Sequence, residues 1–166
     1  GDDNLIGSTG QDVVDYSNSA SGVSIDLVNN QVVGEGSDTL SSIEHANGSA
    51  LNDVIIGDAN VNTLRGNGGD DTLSGGAGND TIDGSSGSDT LSYATLNSAV
   101  DVDLVAATAS NDGEGGSDTL ISIENVFGSS ANDTIKGDAN ANTLSGNDGD
   151  DNLEGGAGDD YIDGGS

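Results

Sequence analysis

Gly75-Gly76-Ala77-Gly78-Asn79-Asp80-Thr81-Ile82-Asp83 packs a turn and a strand into nine residues. Glycine reaches φ > 0 without a Cβ clash, so Gly75–Asp80 can curl tightly with its carbonyls turned inward. Thr81-Ile82-Asp83 is extended, with good strand formers and one side chain directed to the interior. The nonamer returns as Gly155-Gly156-Ala157-Gly158-Asp159-Asp160-Tyr161-Ile162-Asp163.

The same register runs outward from both copies. Asp53, Asn62, Asp71, Asp80 and Asp89 are spaced by nine, and so are Ile55, Leu64, Leu73, Ile82 and Leu91. Asp133, Asn142, Asp151 and Asp160 repeat the first column; Ile135, Leu144, Leu153 and Ile162 repeat the second. Near the N-terminus Asp3 and Asp12 keep the spacing, as do Leu5 and Val14. Two columns held in one register over several turns indicate a solenoid.

A longer repeat contains the short one. Gly10–Tyr16 matches Gly87–Tyr93 at an offset of 77, and Asn52–Asn60 matches Asn132–Asn140 at an offset of 80. The chain therefore divides into two units, about 1–77 and 78–157, followed by the start of a third, with three extra residues near 106–113 in the second copy. The expected domain is a single solenoid over 1–166.

The nonamer resembles the RTX repeat, G-G-x-G-x-D-x-U-x with U a large aliphatic residue, a Ca²⁺-binding parallel β-helix pattern. The resemblance is strongest over 48–93 and 128–166, present at 1–16, and weak over 17–43 and 94–123. It implies an all-β fold, a parallel β-roll or right-handed parallel β-helix solenoid, in which two nonamers form one coil and residues 18 apart stack. It further implies Ca²⁺ ions between stacked turns, bound by loop carbonyls and by the Asp of each turn. The metal ligands expected on this basis are Asp12, Asp53, Asn62, Gly66, Gly69, Asp71, Gly76, Gly78, Asp80, Gly87, Asp89, Asp133, Asn142, Gly149, Asp151, Gly156, Gly158 and Asp160. The best pairs are Asp53/Asp71, Asp71/Asp89, Asn62/Asp80, Asp133/Asp151 and Asn142/Asp160. Asn62 and Asn142 offer an oxygen without charge and should bind more weakly. Glu44 and Glu124, one period before Asp53 and Asp133, are expected as peripheral ligands. Asp71, central in its column, is expected to face two ions with its two oxygens. Ions should be few over 17–43 and 94–123, where the Gly-x-Asp turns are missing.

In a stack of that kind the energetics also call for a cation. Each nonamer buries one aliphatic side chain, worth roughly 1.5–3 kcal/mol, whereas ordering each backbone residue costs about 1–2 kcal/mol. Stacked carboxylates about 4 Å apart repel by roughly 4 kcal/mol at an effective dielectric of 20. Ca²⁺ reverses that sign, because it takes 6–8 oxygens from carboxylates and carbonyls. Zinc is a poor match for a chain with no Cys and a single His.

Composition narrows the function classes. The formal charge is −28, with 30 Asp and Glu against 2 Lys and Arg, so nucleic acid and anionic membranes are repelled. Aromatic residues make up 2% and Trp is absent, too little for an ordinary globular core. No apolar run suggests membrane insertion, and no basic n-region with an apolar h-region is seen. With both ends inside the repeat pattern, the chain reads as a piece of a longer protein.

An enzyme acting on acidic sugars needs clustered basic or aromatic residues, and none cluster here. An ice-binding face needs a ranked Thr or Asn column; Thr9, Ala50, Ala59, Gly68, Ala77 and Ser86 form none. His45, Arg65 and Lys136 are isolated and read as solvated residues, while Tyr16 and Tyr93, equivalent in the two copies, read as packing at the edge of the roll. Asp58 and Asp138 either hydrogen-bond their loop backbone or add an outer ligand. Val23–Leu27 and Val100–Leu104 alternate apolar and polar and read as longer strands with one apolar face; Asn29–Glu35 and Ala106–Glu114 are open between roll and loop. The expectation is a non-enzymatic calcium-binding module, secreted by a bacterial type I route and folding on Ca²⁺ outside the cell. Its partners would be Ca²⁺ and other domains of a parent protein; the alternative is an accessory module of an extracellular polysaccharide-active enzyme or adhesin.

Overall fold

The computed structural model describes residues 1–166. Extended triplets separated by glycine turns make strands only three to five residues long. The first unit supplies β1 (Asn4–Ile6), β2 (Val13–Asp15), β3 (Ser24–Asp26), β4 (Gln31–Val33), β5 (Ser37–Ser41), β6 (His45–Asn47), β7 (Val54–Ile56), β8 (Thr63–Arg65) and β9 (Thr72–Ser74). The rest supplies β10 (Thr81–Asp83), β11 (Thr90–Ser92), β12 (Asp101–Asp103), β13 (Thr108–Asn111), β14 (Asp118–Ile121), β15 (Asn125–Phe127), β16 (Thr134–Lys136), β17 (Thr143–Ser145), β18 (Asn152–Glu154) and β19 (Tyr161–Asp163). There is no helix, and so none long and apolar enough to cross a membrane.

The strands form two sheets, ordered β1-β5-β4-β3-β7-β9-β11-β15-β17-β19 and β18-β16-β12-β13-β14-β10-β8-β6-β2. Successive nonamers alternate between sheets, and each strand in the regular runs pairs in parallel with the one two nonamers away. Ile82 sits opposite Leu64, Leu91 opposite Leu73, and Ile162 opposite Leu144, each 18 residues apart. The fold is the parallel β-roll read from the sequence. The middle residue of each triplet points inward: Ile55, Leu64, Leu73, Ile82 and Leu91 are all fully buried.

The two irregular segments also belong to the roll. In the first unit β3, β4 and β5 form an antiparallel meander, with β3 pairing in parallel to β7 and β5 to β1. In the second unit β12, β13 and β14 do the same between β16 and β10, but in the opposite sheet. Val23, Ile25, Leu27 and Val32 fill the core from the first meander, and Val100, Val102 and Ala109 from the second. The alternating stretches at 23–27 and 100–104 thus give strands of three residues rather than longer ones, because Asp26 and Asp103 turn back to accept N–H bonds from Asn29 and Ala106. Asn29–Glu35 and Ala106–Glu114 include the returning strands β4 and β13. The extra residues of the second copy appear as a register shift opposite Asp101/Val102 and a longer loop before β14.

A core one residue wide makes truncation costly. Leu73→Ala should lose about 2–5 kcal/mol, as expected of a fully buried leucine. Ile162→Ala, at a site 47% exposed at the end of the sheet, should lose far less. Urea unfolding in calcium measures both, and equal losses would contradict this packing.

Candidate cation-binding turns

Each turn-ending Asp lies at the corner between two coils, and one carboxylate oxygen has a fixed partner there. Asp71 Oδ1 accepts the Asp53 N–H (2.8 Å), Asp89 Oδ1 that of Asp71 (2.9 Å), and Asp80 Oδ1 that of Asn62 (2.8 Å). Asp151 and Asp160 do the same for Asp133 and Asn142. Where a meander interrupts the column, Glu124 accepts the Asp89 N–H and Glu44 that of Asp12. These bonds tie each coil to the next and leave one oxygen per Asp to be accounted for.

The fate of that second oxygen divides the turns into two kinds. In Gly48–Asp53 and Gly128–Asp133 the residue after glycine is serine. Ser49 donates both its N–H and its hydroxyl to Asp53, and Ser129 does so to Asp133. In Gly57–Asn62 and Gly137–Asn142 that residue is Asp58 or Asp138. The Asn62 amide accepts the Asp58 N–H (2.7 Å) and donates to the Glu44 carbonyl (2.7 Å); Asn142 repeats this on Asp138 and Glu124. These four turns have no left-handed residue and close upon themselves.

The turns 66–71, 75–80, 84–89, 146–151 and 155–160 are open. Each has left-handed backbone at its second and fourth positions: Asn67 (φ 75°) and Gly69 (φ 102°), Gly76 (82°) and Gly78 (132°), Ser85 (72°) and Gly87 (148°), Asn147 (73°) and Gly149 (131°), Gly156 (95°) and Gly158 (121°). Oδ2 of Asp71, Asp80, Asp89 and Asp151 is buried there with no hydrogen-bond partner. A methyl group on Gly66 would lie 2.0 Å from Asp71 Oδ2 and 3.0 Å from the Gly84 carbonyl oxygen of the next coil. On Gly146 it would lie 2.1 Å from Asp151 Oδ2, and on Gly75, 2.6 Å from Asp80 Oδ2. The first glycine therefore leaves room for these oxygens, as it does in the closed turns, where a methyl group on Gly48 would lie 2.3 Å from Asp53 Oδ2; what sets the open turns apart is that Oδ2 has no donor there. No three acidic or imidazole side chains converge on one point, so a cation at these turns must draw backbone carbonyls into its shell. An all-oxygen set of this kind suits a hard cation.

Among the residues singled out in the sequence, Asp71, Asp80, Asp89 and Asp151 carry the unpartnered oxygens, and Gly66 lines a cradle. Gly69, Gly76, Gly78, Gly87, Gly149, Gly156 and Gly158 shape the open turns, most of them by letting backbone pass close to the coil below. Asp160 is partly exposed at the last coil. Asp53, Asp133, Asn62 and Asn142 stand in closed turns with their polar atoms already engaged, and Asp12 Oδ2 accepts the Ser8 N–H. Asp71 Oδ1 accepts the Asp53 N–H while its Oδ2 is unpartnered, so its two oxygens are not equivalent. Of the five expected pairs, only Asp71/Asp89 joins two open turns. Asp58 and Asp138 hydrogen-bond their own loops, each receiving the N–H two residues on. Gly75, Gly84, Gly146 and Gly155 were missed as cradle residues, although they stand in the column of Gly66. Asp118 and Asp112, also buried with an unpartnered Oδ2, were missed too.

The remaining polar residues are structural. His45 Nδ1 accepts the Thr63 N–H (2.9 Å). Arg65 pairs with Asp83 at 3.0 Å near the surface, and Tyr16 donates its hydroxyl to Asp38. Tyr93 is buried in the core.

Burial pushes the Asp71 and Asp80 carboxyls up to about 7 and Asp118 to about 6, with neighbouring carboxylates adding to the shift. Asp89 and Glu124 are raised for the same first reason. A carboxyl with a folded pKa above its unfolded value binds more protons in the folded state. Its penalty is absent below the unfolded value near 4 and complete above the folded value near 7. Without calcium, the roll should therefore gain stability as pH falls from about 7 toward 4. Circular dichroism in chelator should show more strand at pH 5 than at pH 8, and the reverse order would contradict the burial of these groups.

The family model of the RTX calcium-binding nonapeptide repeat (4 copies) matches residues 1–17, 43–68, 56–91, 123–151 and 137–166, more than half of the chain. No curated protein matches the sequence.

Proposed function

Since the chain belongs to the RTX calcium-binding nonapeptide repeat family, we propose that it is a non-catalytic, calcium-stabilised β-roll module of a larger secreted bacterial protein. The observation that carries this reading is the set of buried, unpartnered carboxylate oxygens in the open turns. Each is a local electrostatic penalty in the metal-free chain and a ligand in the loaded one. Asp71, Asp80, Asp89 and Asp151 would supply the carboxylates, and the glycine cradles the room for carbonyl ligands. Bound calcium would neutralise the column and couple adjacent coils.

Such a chain would stay unfolded where calcium is scarce and fold where it is plentiful, which suits export as an unfolded chain by a type I route. The 166 residues would act as one solenoid of two units and the start of a third, presenting or spacing the other domains of its parent. The strongly negative surface disfavours nucleic acid and anionic membranes.

Circular dichroism tests this directly. The chain in chelator at neutral pH and low salt should be largely disordered, and calcium at about 10⁻⁴–10⁻³ M should induce strand signal. Magnesium should substitute poorly, because it dehydrates reluctantly and prefers a tighter octahedron. Full β-structure in chelator at pH 8, unchanged by calcium, would overturn the reading.

A further inference from the structure

The roll carries its charge unevenly. On the nine-stranded sheet the residues flanking the inward ones include Asp15, Arg65, Asp83, Asp101, Lys136 and Glu154, so that outer face is charged along its length. The outer face of the ten-stranded sheet is nearly free of charge. From β7 through β17 its outward residues are Val, Ile, Ser, Thr, Asn and Phe alone, and Asp26 on β3 and Asp163 on β19 are the only charged residues on the whole face. In a chain of net charge −28, a broad uncharged surface needs an explanation.

Strand register sorts this face into rows. Thr72, Thr90, Asn125 and Thr143 stand side by side on successive strands, and the row ends at Tyr161. Ser92, Phe127 and Ser145 form a second row beside it. Phe127 is 38% exposed and Tyr161 is 64% exposed. The other aromatic residues are engaged elsewhere, Tyr16 with Asp38 and Tyr93 in the core. Both exposed aromatic rings of the chain therefore lie on the uncharged face. They stand on strands β15 and β19, two spacings apart in the sheet, which is about 10 Å along the stack and comparable to a pair of linked pyranose rings.

We propose that the outer face of the ten-stranded sheet is a docking surface for an uncharged, ribbon-like polysaccharide of the β-1,4-linked class. Sugar rings present apolar C–H faces that stack on aromatic side chains, and hydroxyls that exchange hydrogen bonds with Ser, Thr and Asn. Charge selects among glycans. A uronate-rich chain is repelled by a body of charge −28, whereas a neutral chain on this face desolvates almost no carboxylate. Shape selects a ribbon over a second copy of this protein. Ten strands of about three residues make a strip about 45 Å long and 10 Å wide. That is roughly 450 Å², well short of the about 800 Å² per partner of a standard protein interface.

The proposal rests on the calcium-binding reading, because it needs the folded roll, and the test separates the two. Binding is measured in saturating calcium on chains whose strand content circular dichroism confirms; a wild-type chain without strand there overturns the calcium reading and this surface with it. The folded wild type should be retained on cellulose or chitin and should not be slowed by alginate in a native gel. Phe127→Ala and Tyr161→Ala should each weaken retention by at least about threefold, whereas Ile121→Ala, on the outer face of the opposite sheet, should leave it unchanged. A folded wild type that neither glycan retains overturns the docking surface alone, and so does retention that survives both aromatic substitutions together. Equal binding to alginate overturns the selection by charge. A dimer of the folded wild type in sedimentation that Tyr161→Ala dissolves assigns the face to a second copy and overturns the glycan. If Phe127→Ala does not fold, Tyr161→Ala decides, since its side chain is largely exposed.

Discussion

Gly66→Ala should destabilise the calcium-loaded chain by roughly 3 kcal/mol or more, enough to leave much of it unfolded in low-millimolar calcium. The added methyl group would lie 2.0 Å from Asp71 Oδ2 and 3.0 Å from the Gly84 carbonyl oxygen. Neither can yield without loss. Rotating the carboxylate breaks the 2.8 Å bond to the Asp53 N–H, and the Gly84 carbonyl belongs to the next coil. Overpacking alone costs about 1–3 kcal/mol, and hydrogen bonds to charged groups contribute about 1.5–3 kcal/mol. Gly68→Ala, two residues away, is the matched control. Its methyl group would meet only the Ser86 hydroxyl at 3.3 Å and the Ala50 backbone at 3.8 Å, so the change should stay within about 1 kcal/mol. Urea unfolding at fixed calcium measures both. Equal effects would show that the first glycine of the turn is not a cradle.

Asp71→Asn should act in opposite directions with and without calcium. In chelator at pH 8 it removes a buried charge whose pKa is pushed up to about 7. The amide keeps the oxygen for the Asp53 N–H and places its NH₂ where Oδ2 stood, on the side of the Gly84 carbonyl. The metal-free variant should therefore hold more strand than wild type. In saturating calcium it should be less stable by about 1.5–3 kcal/mol, having lost a charged ligand. Asp53→Asn should lose stability in both conditions, because both Asp53 oxygens accept hydrogen bonds from Ser49. Circular dichroism of the three chains in chelator and in calcium decides the matter. A loss of strand for Asp71→Asn in both conditions would place its carboxylate in a closed turn like that of Asp53.

The period-nine columns made the parallel roll legible, because one aliphatic and one acidic residue per nonamer leave few other ways to bury the first and stack the second. The division between open and closed turns was present in the sequence but unread. Gly69, Gly78, Gly87, Gly149 and Gly158 occupy the fourth turn position, where the closed turns have Leu51, Asn60, Ala131 and Asn140. Only a left-handed fourth residue needs glycine, so that column marked which carboxylates would lack a partner. Ser49 and Ser129 stand where the clearest nonamers have glycine, and they satisfy the neighbouring aspartates. The meanders were harder to place. Their strands alternate correctly, but nothing local states that β4 and β13 reverse direction within a parallel sheet. Asp112 was not legible as a buried group, because it lies against the turn 75–80, which is far from it in sequence.

The placement of the meanders in opposite sheets has a mechanical consequence. Each meander inserts two strands into one face of the roll without lengthening the other, adding about 10 Å to that face at 4.7–4.9 Å per strand. Such an insertion would act as a wedge and bend the long axis away from the thicker side. Because a unit contributes an odd number of alternations between faces, the next wedge enters from the other side and bends the axis back. The two sheets finish with nearly equal numbers of strands, ten and nine. A tandem array of these units would therefore weave about a straight line and recover its orientation only every second unit. Removing a single nonamer between the wedges would put both on one face and curl the array into an arc.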